Sequence, residues 1–97
     1  MEFNVYDIVV IREKETGTIC QECVESVKTI LGAHYDEDSY YFTEVNTNRF
    51  TIKYDSEGEL TIYGEYKREY DLIDIFTKKD NDTFVRVWNH IYGEIIY

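Results

Sequence analysis

The chain predicts an α+β domain: one amphipathic helix packed on a five- or six-stranded, mostly antiparallel sheet, in the order β-α-β-β-β-β with a sixth, C-terminal strand left open. Three observations lead there. Apolar and aromatic residues alternate with period two through most of the chain, between clusters of Gly, Asn, Asp and Ser. One stretch, residues 18–32, instead repeats at helical spacing. Ten tyrosines and five phenylalanines in 97 residues give a composition that buries a core, so the expectation is one domain, 1–97.

Residues 3–12, "FNVYDIVVIR", are apolar on both faces and predict a covered, central strand. "EKETG" breaks it. The helix is then read from Thr18 as N-cap, with Gln21 three residues on completing a capping box. Cys20, Cys23, Val24, Val27, Ile30 and Leu31 form its apolar stripe, and Gly32 ends it. Strands follow at 39–45, 49–54 and 59–66. Phe50, Ile52 and Tyr54 face inward in the second, and Leu60, Ile62 and Tyr66 in the third. "DLIDIF" (71–76) and "TFVRVW" (83–88) pair across "TKKDND", and "HIYGEIIY" extends the last strand past a bulge at Gly93.

The two cysteines, Cys20 and Cys23, stand in C-x-x-C spacing. Such a pair at a helix start is the thioredoxin-like arrangement, but that chemistry relies on a cis-proline, and the chain has no proline. Placed on the apolar stripe, both read as small core residues. With His34 and His90 they make the minimum set for a zinc site, yet the spacing fits no finger, so no metal or cofactor is expected. Asp7 and Asp74 each interrupt an apolar strand; each needs a partner, for which Arg12 and Arg86 are available. No catalytic motif is present, and the expectation is a non-enzymatic protein.

Twenty acidic residues against ten basic ones leave a net charge of −10. That field repels nucleic acid and anionic membranes and attracts basic surfaces. There is no N-terminal basic-then-apolar segment and no stretch of membrane-spanning length, so the sequence predicts a cytoplasmic protein without a signal peptide. Acids interleave with tyrosines at Tyr35, Asp36, Glu37, Asp38, Tyr40 and Tyr41, and acids cluster again at Asp55, Glu57 and Glu59. Further acids flank Tyr66 and Tyr70. Tyrosine supplies a rigid contact surface with a polar tip. Carboxylates on one strand face repeat at about 6.6–6.8 Å, so a rigid sheet can display them as a row of phosphates. Residues 35–41 and 55–59 are therefore the expected binding face.

This profile resembles the small acidic inhibitors of phages and mobile elements, including DNA mimics and anti-CRISPR proteins. At residue level, "ETG" (15–17) and "QEC" (21–23) are similar to the E-T-G and Q-E-S segments of the uracil-DNA glycosylase inhibitor family, with Cys23 in place of the serine. In that family the second segment is an edge strand, whereas here it falls in the expected helix. The resemblance implies Glu22 as a partner contact. The expected function is a phage or mobile-element inhibitor that covers the basic nucleic-acid-binding surface of a host protein. The alternatives are an immunity protein or antitoxin covering a basic toxin, a C-x-x-C thiol-redox protein, and a structural protein self-associating through its apolar tail. A homodimer is left open.

Overall fold

A computed structural model of the chain describes residues 1–33, 39–55, 59–64 and 68–95. Among these residues there is no helix. Nine strands form two antiparallel sheets: β1 (Ile8–Glu13), β2 (Ile19–Cys23), β3 (Ser26–Ala33), β4 (Ser39–Asn46), β5 (Thr51–Asp55), β6 (Leu60–Tyr63), β7 (Tyr70–Lys78), β8 (Phe84–Asn89) and β9 (Gly93–Glu94). Sheet A has the order β2-β1-β7-β8-β9 and sheet B the order β3-β4-β5-β6. The fold is all-β, which corrects the α+β expectation and its single sheet.

The correction falls on residues 18–32. They form β2 and β3, which belong to different sheets. In β2, Cys20 and Glu22 point inward while Ile19, Gln21 and Cys23 are exposed. Val24 is buried between the strands, and Glu25 turns the chain, its N–H donating to the Asn46 carbonyl at 2.8 Å. In β3, core-facing Val27 pairs with core Val45. Two period-two patterns joined with a phase change thus place apolar side chains at 20, 24 and 27. That is the i, i+4, i+7 spacing of a helix. Thr18, Ile19, Val24, Val27, Thr29 and Ile30 are all β-branched and favour the extended chain. Thr18 caps no helix: its carbonyl accepts from Glu13 N–H at 2.9 Å, closing the β1–β2 hairpin. Gly17 supplies the φ of +75° that this turn needs.

The remaining strands follow the alternation. A row of core residues crosses sheet B, from Val27 through Val45 and Ile52 to Ile62, each directly opposite the next. In sheet A the corresponding rows are Val9–Ile75–Trp88 and Cys20–Ile11–Leu72. One hydrophobic cluster joins the two sheets and takes in Phe3, Val24 and Phe50 from the connections. β1 lies between β2 and β7, as its two apolar faces require. The tail turns back at His90–Tyr92 instead of extending β8, and Gly93 (φ +72°) returns it to pair with β8 as β9. Among the described residues no helix is long and apolar enough to cross a membrane.

Candidate partner-binding end of the four-stranded sheet

In sheet B the β3–β4 and β5–β6 connections leave from one end, because successive strands are antiparallel neighbours. The two acidic segments singled out in the sequence, 35–41 and 55–59, are therefore carried by adjacent hairpins. The hairpin midlines are two strand spacings apart, about 10 Å. The β3–β4 ribbon is the longer. Its last pair, Ala33–Ser39, lies three pairs beyond Phe42–Asp55, the last β4–β5 pair. It thus projects about 10 Å past the rest of the sheet.

Of the predicted residues, Tyr35, Asp36, Glu37, Asp38 and Glu57 lie outside the described residues. Tyr40 sits in β4 opposite Gly32. Tyr41 is opposite Leu31, and the two are 59% and 57% exposed. Both share the face that, four residues nearer the core, carries Val27 and Val45. The ribbon thus extends the core-facing side of the sheet into solvent. Asp55 ends β5 and fastens the hairpin: its Oδ1 accepts from Glu59 N–H at 2.9 Å, and its own N–H donates to the Glu59 carbonyl at 3.1 Å. Glu59 is exposed.

The outer face of sheet B adds residues that the sequence reading passed over. Lys28, Glu44, Lys53 and Thr61 form one row across the four strands, with charges alternating in sign. The Lys53 ammonium lies 5.3 Å from the Phe42 ring centre and 5.5 Å from that of Tyr63. A depression of about 240 Å³ beside it is lined by Phe42, Lys53, Asp55, Glu59 and Thr61. This row holds two lysines against one glutamate, so the surplus acid of sheet B sits toward its connections. Lys53 and Tyr63 were legible as outward positions in "RFTIKY" and "LTIY". Leu31 was not, because the helix reading had assigned it to the core.

Elsewhere the arginines and Lys14 are held in ion pairs. All four arginines pair with carboxylates: Arg12 with Asp71 at 3.4 Å, Arg49 with Glu22, Arg68 with Glu13 at 3.0 Å and Arg86 with Asp74 at 3.0 Å. Asp74 also accepts from Asn89 Nδ2 at 2.7 Å. Lys14 reaches Asp71 at 3.5 Å. Glu22, the residue implicated by the resemblance, therefore faces Arg49 with its side chain only 13% exposed. Its segment does form an edge strand, β2.

The cysteines occupy opposite faces of β2. Cys20 packs against the core in a depression with Arg49, Phe50 and Tyr70, whereas Cys23 is exposed. Three residues along a strand separate their Cα atoms by about 10 Å, beyond the reach of a disulfide. His90 turns its Nδ1 to the Ile73 carbonyl at 3.2 Å, and His34 lies outside the described residues. Among the described residues no three His, Cys, Asp or Glu side chains converge on a point that a metal could fill.

No protein-family model matches the chain, and neither a curated protein nor a solved structure does.

Proposed function

We propose that the chain is a small acidic, non-enzymatic binding protein of the reducing cytoplasm. It docks on a basic protein surface that otherwise holds nucleic acid, in the manner of a phage or mobile-element inhibitor. The observation that carries this reading is the topology of sheet B. Two acidic hairpin connections leave one end of a rigid sheet, beside an exposed Leu31–Tyr41 pair. The net charge supports it, since twenty acids against ten bases leave a field of −10 whatever pairs form within the chain. Long-range attraction would steer the encounter, and the aromatic and aliphatic side chains of the ribbon would hold the complex.

The test is displacement of labelled DNA from a panel of nucleic-acid enzymes at increasing salt. Wild-type protein should displace DNA from at least one enzyme, with an on-rate that falls as salt rises. The amide variant Asp36→Asn, Glu37→Gln, Asp38→Asn, Glu59→Gln should lose about tenfold or more in displacement, through the on-rate. Tyr41→Ala should instead raise the off-rate. Failure to displace DNA from any enzyme, or full displacement by the amide variant, would overturn the reading and leave the charge explained by solubility.

A further inference from the structure

Four strands end the two sheets, and β3 differs from the other three. It runs eight residues, against five in β2, four in β6 and two in β9. Among the described residues it pairs with β4 on one side and with no other strand. Lys28, Thr29 and Leu31 are exposed along it. A free edge of this length displays a row of backbone N–H and C=O groups ready for a further strand. Charge sets it apart as well. The chain has twenty acidic residues, yet none falls between Ser26 and Ala33, where Lys28 is the single charge. Of the other edges, β2 and β9 carry acids, Glu22 and Glu94; β6 and β3 carry none and each follows one, Glu59 and Glu25, but β6 is only four residues long. Two copies of a −10 chain repel over most of their surfaces, and β3 is where they can meet without acid facing acid.

We infer that β3 is the docking edge for a second copy of this chain, paired antiparallel about a two-fold axis so that two four-stranded sheets become one of eight. The register follows from the side chains. Opposed residues in an antiparallel pair share a face, so the axis of a symmetric pair passes through a residue position. Centring on Lys28 sets two ammonium groups against each other. Centring on Ile30 sets Leu31 against Thr29. Centring on Thr29 sets Val27 against Leu31, Lys28 against Ile30, and the two Thr29 hydroxyls against each other on the axis. The last register covers the exposed Leu31 with a β-branched partner and forms a threonine pair, both favourable across strands. A ladder of this length buries less than the roughly 1,200 Å² of a standard interface, so the dimer is weak, with a dissociation constant on the order of 10–100 µM.

The experiment combines sedimentation with cross-linking. Wild-type protein raised from about 10 to about 500 µM should pass from monomer to dimer over that range. Thr29→Lys puts two charges on the axis and should abolish the dimer, whereas Thr61→Lys, the same change at an exposed position of β6, should leave it intact. In a Cys20→Ala, Cys23→Ser background, Thr29→Cys places opposed Cα atoms about 4.5–5.5 Å apart, within disulfide reach, and mild oxidation should link the copies. Ser26→Cys in the same background puts the two sulfurs six residues out of register, about 20 Å apart, and should not link. A monomer at every concentration would overturn the inference, as would a dimer that survives Thr29→Lys or links as fast through Ser26→Cys.

Discussion

Asp7 holds a carboxylate at 1% exposure and forms no ion pair among the described residues, so removing its charge without changing its shape should stabilise the fold. Its Oδ1 accepts from the Thr77 hydroxyl at 2.7 Å and its Oδ2 from Asn4 N–H at 2.9 Å. Burial pushes its pKa above the usual carboxylate value, against the opposing pull of the two hydrogen bonds, and repulsion from Glu2 adds to the rise. The sign follows by linkage. A group whose folded pKa is raised adds stability below its unfolded pKa, and that stability is lost as pH rises through the folded value. At neutral pH Asp7 is therefore a cost. In Asp7→Asn the amide oxygen still accepts from Asn4 N–H, and the amide NH₂ donates to the Thr77 oxygen. The gain should be about 1 kcal/mol near pH 7, or roughly 4–8 °C in Tm for a domain of this size. It should shrink toward zero below about pH 4, where the wild-type carboxyl is itself neutral. Asp7→Ala strands both donors and should cost about 1–3 kcal/mol at either pH. Urea melts of the three proteins near pH 7 and pH 4 measure this. An Asp7→Asn protein less stable than wild type near pH 7 would refute the reasoning, because the two hydrogen bonds to the charged form would then outweigh its burial.

Two further perturbations probe the core and the thiols. Ile52→Ala removes a fully buried side chain at the centre of the sheet B row and should cost about 2–5 kcal/mol in denaturant melts; a smaller loss would mean that the two sheets do not share a packed core. A thiol reagent should modify exposed Cys23 quickly in the native protein and Cys20 only slowly, so that Cys23→Ser removes the fast phase; two equal phases would contradict their placement on opposite faces of β2.

The strands β4, β5 and β6 were legible because each keeps one phase from end to end, and β7 and β8 were legible from their apolar content although register shifts break their alternation. Phe50, Ile52, Leu60 and Ile62 alternate without interruption and face the core as read. The pairing of Asp74 with Arg86 was also legible, since a carboxylate in an apolar strand needs a neighbour and Arg86 lies across the β7–β8 hairpin. Arg12 did not serve Asp7; it pairs with Asp71 on the adjacent strand, and Asp7 is satisfied by Thr77 and a backbone amide. The helix reading failed where the chain changes sheets. Cys20 belongs to one strand, Val24 to the connection and Val27 to the start of another strand, and the phase shift across that connection produced a helical stripe from two extended segments. Both site errors descend from that one. Leu31 was placed in the core and is exposed, and the two cysteines were placed on one stripe and lie on opposite faces. The signal that favoured strand was the run of β-branched residues, which outweighs a capping pattern built on Thr18 and Gln21.

The two proposed surfaces share the β3–β4 ribbon but should respond to salt in opposite directions. Partner binding draws on attraction between the −10 chain and a basic surface, so raising salt weakens it. Pairing through β3 brings two −10 chains together along an edge that carries only Lys28, so screening at physiological ionic strength, with a Debye length of about 8 Å, should favour it. Antiparallel pairing also sets the two acidic ends at opposite extremes of the joined sheet, each with its own Tyr41 uncovered, so a dimer would offer two binding ends facing away from each other. Thr29→Lys separates the two surfaces. It should leave a protein that still binds its basic partner with one-to-one stoichiometry and the same salt slope, but no longer bridges two partners. If Thr29→Lys abolished both dimer and partner binding, the edge of β3 would itself be the partner surface, and the acidic end would be a bystander.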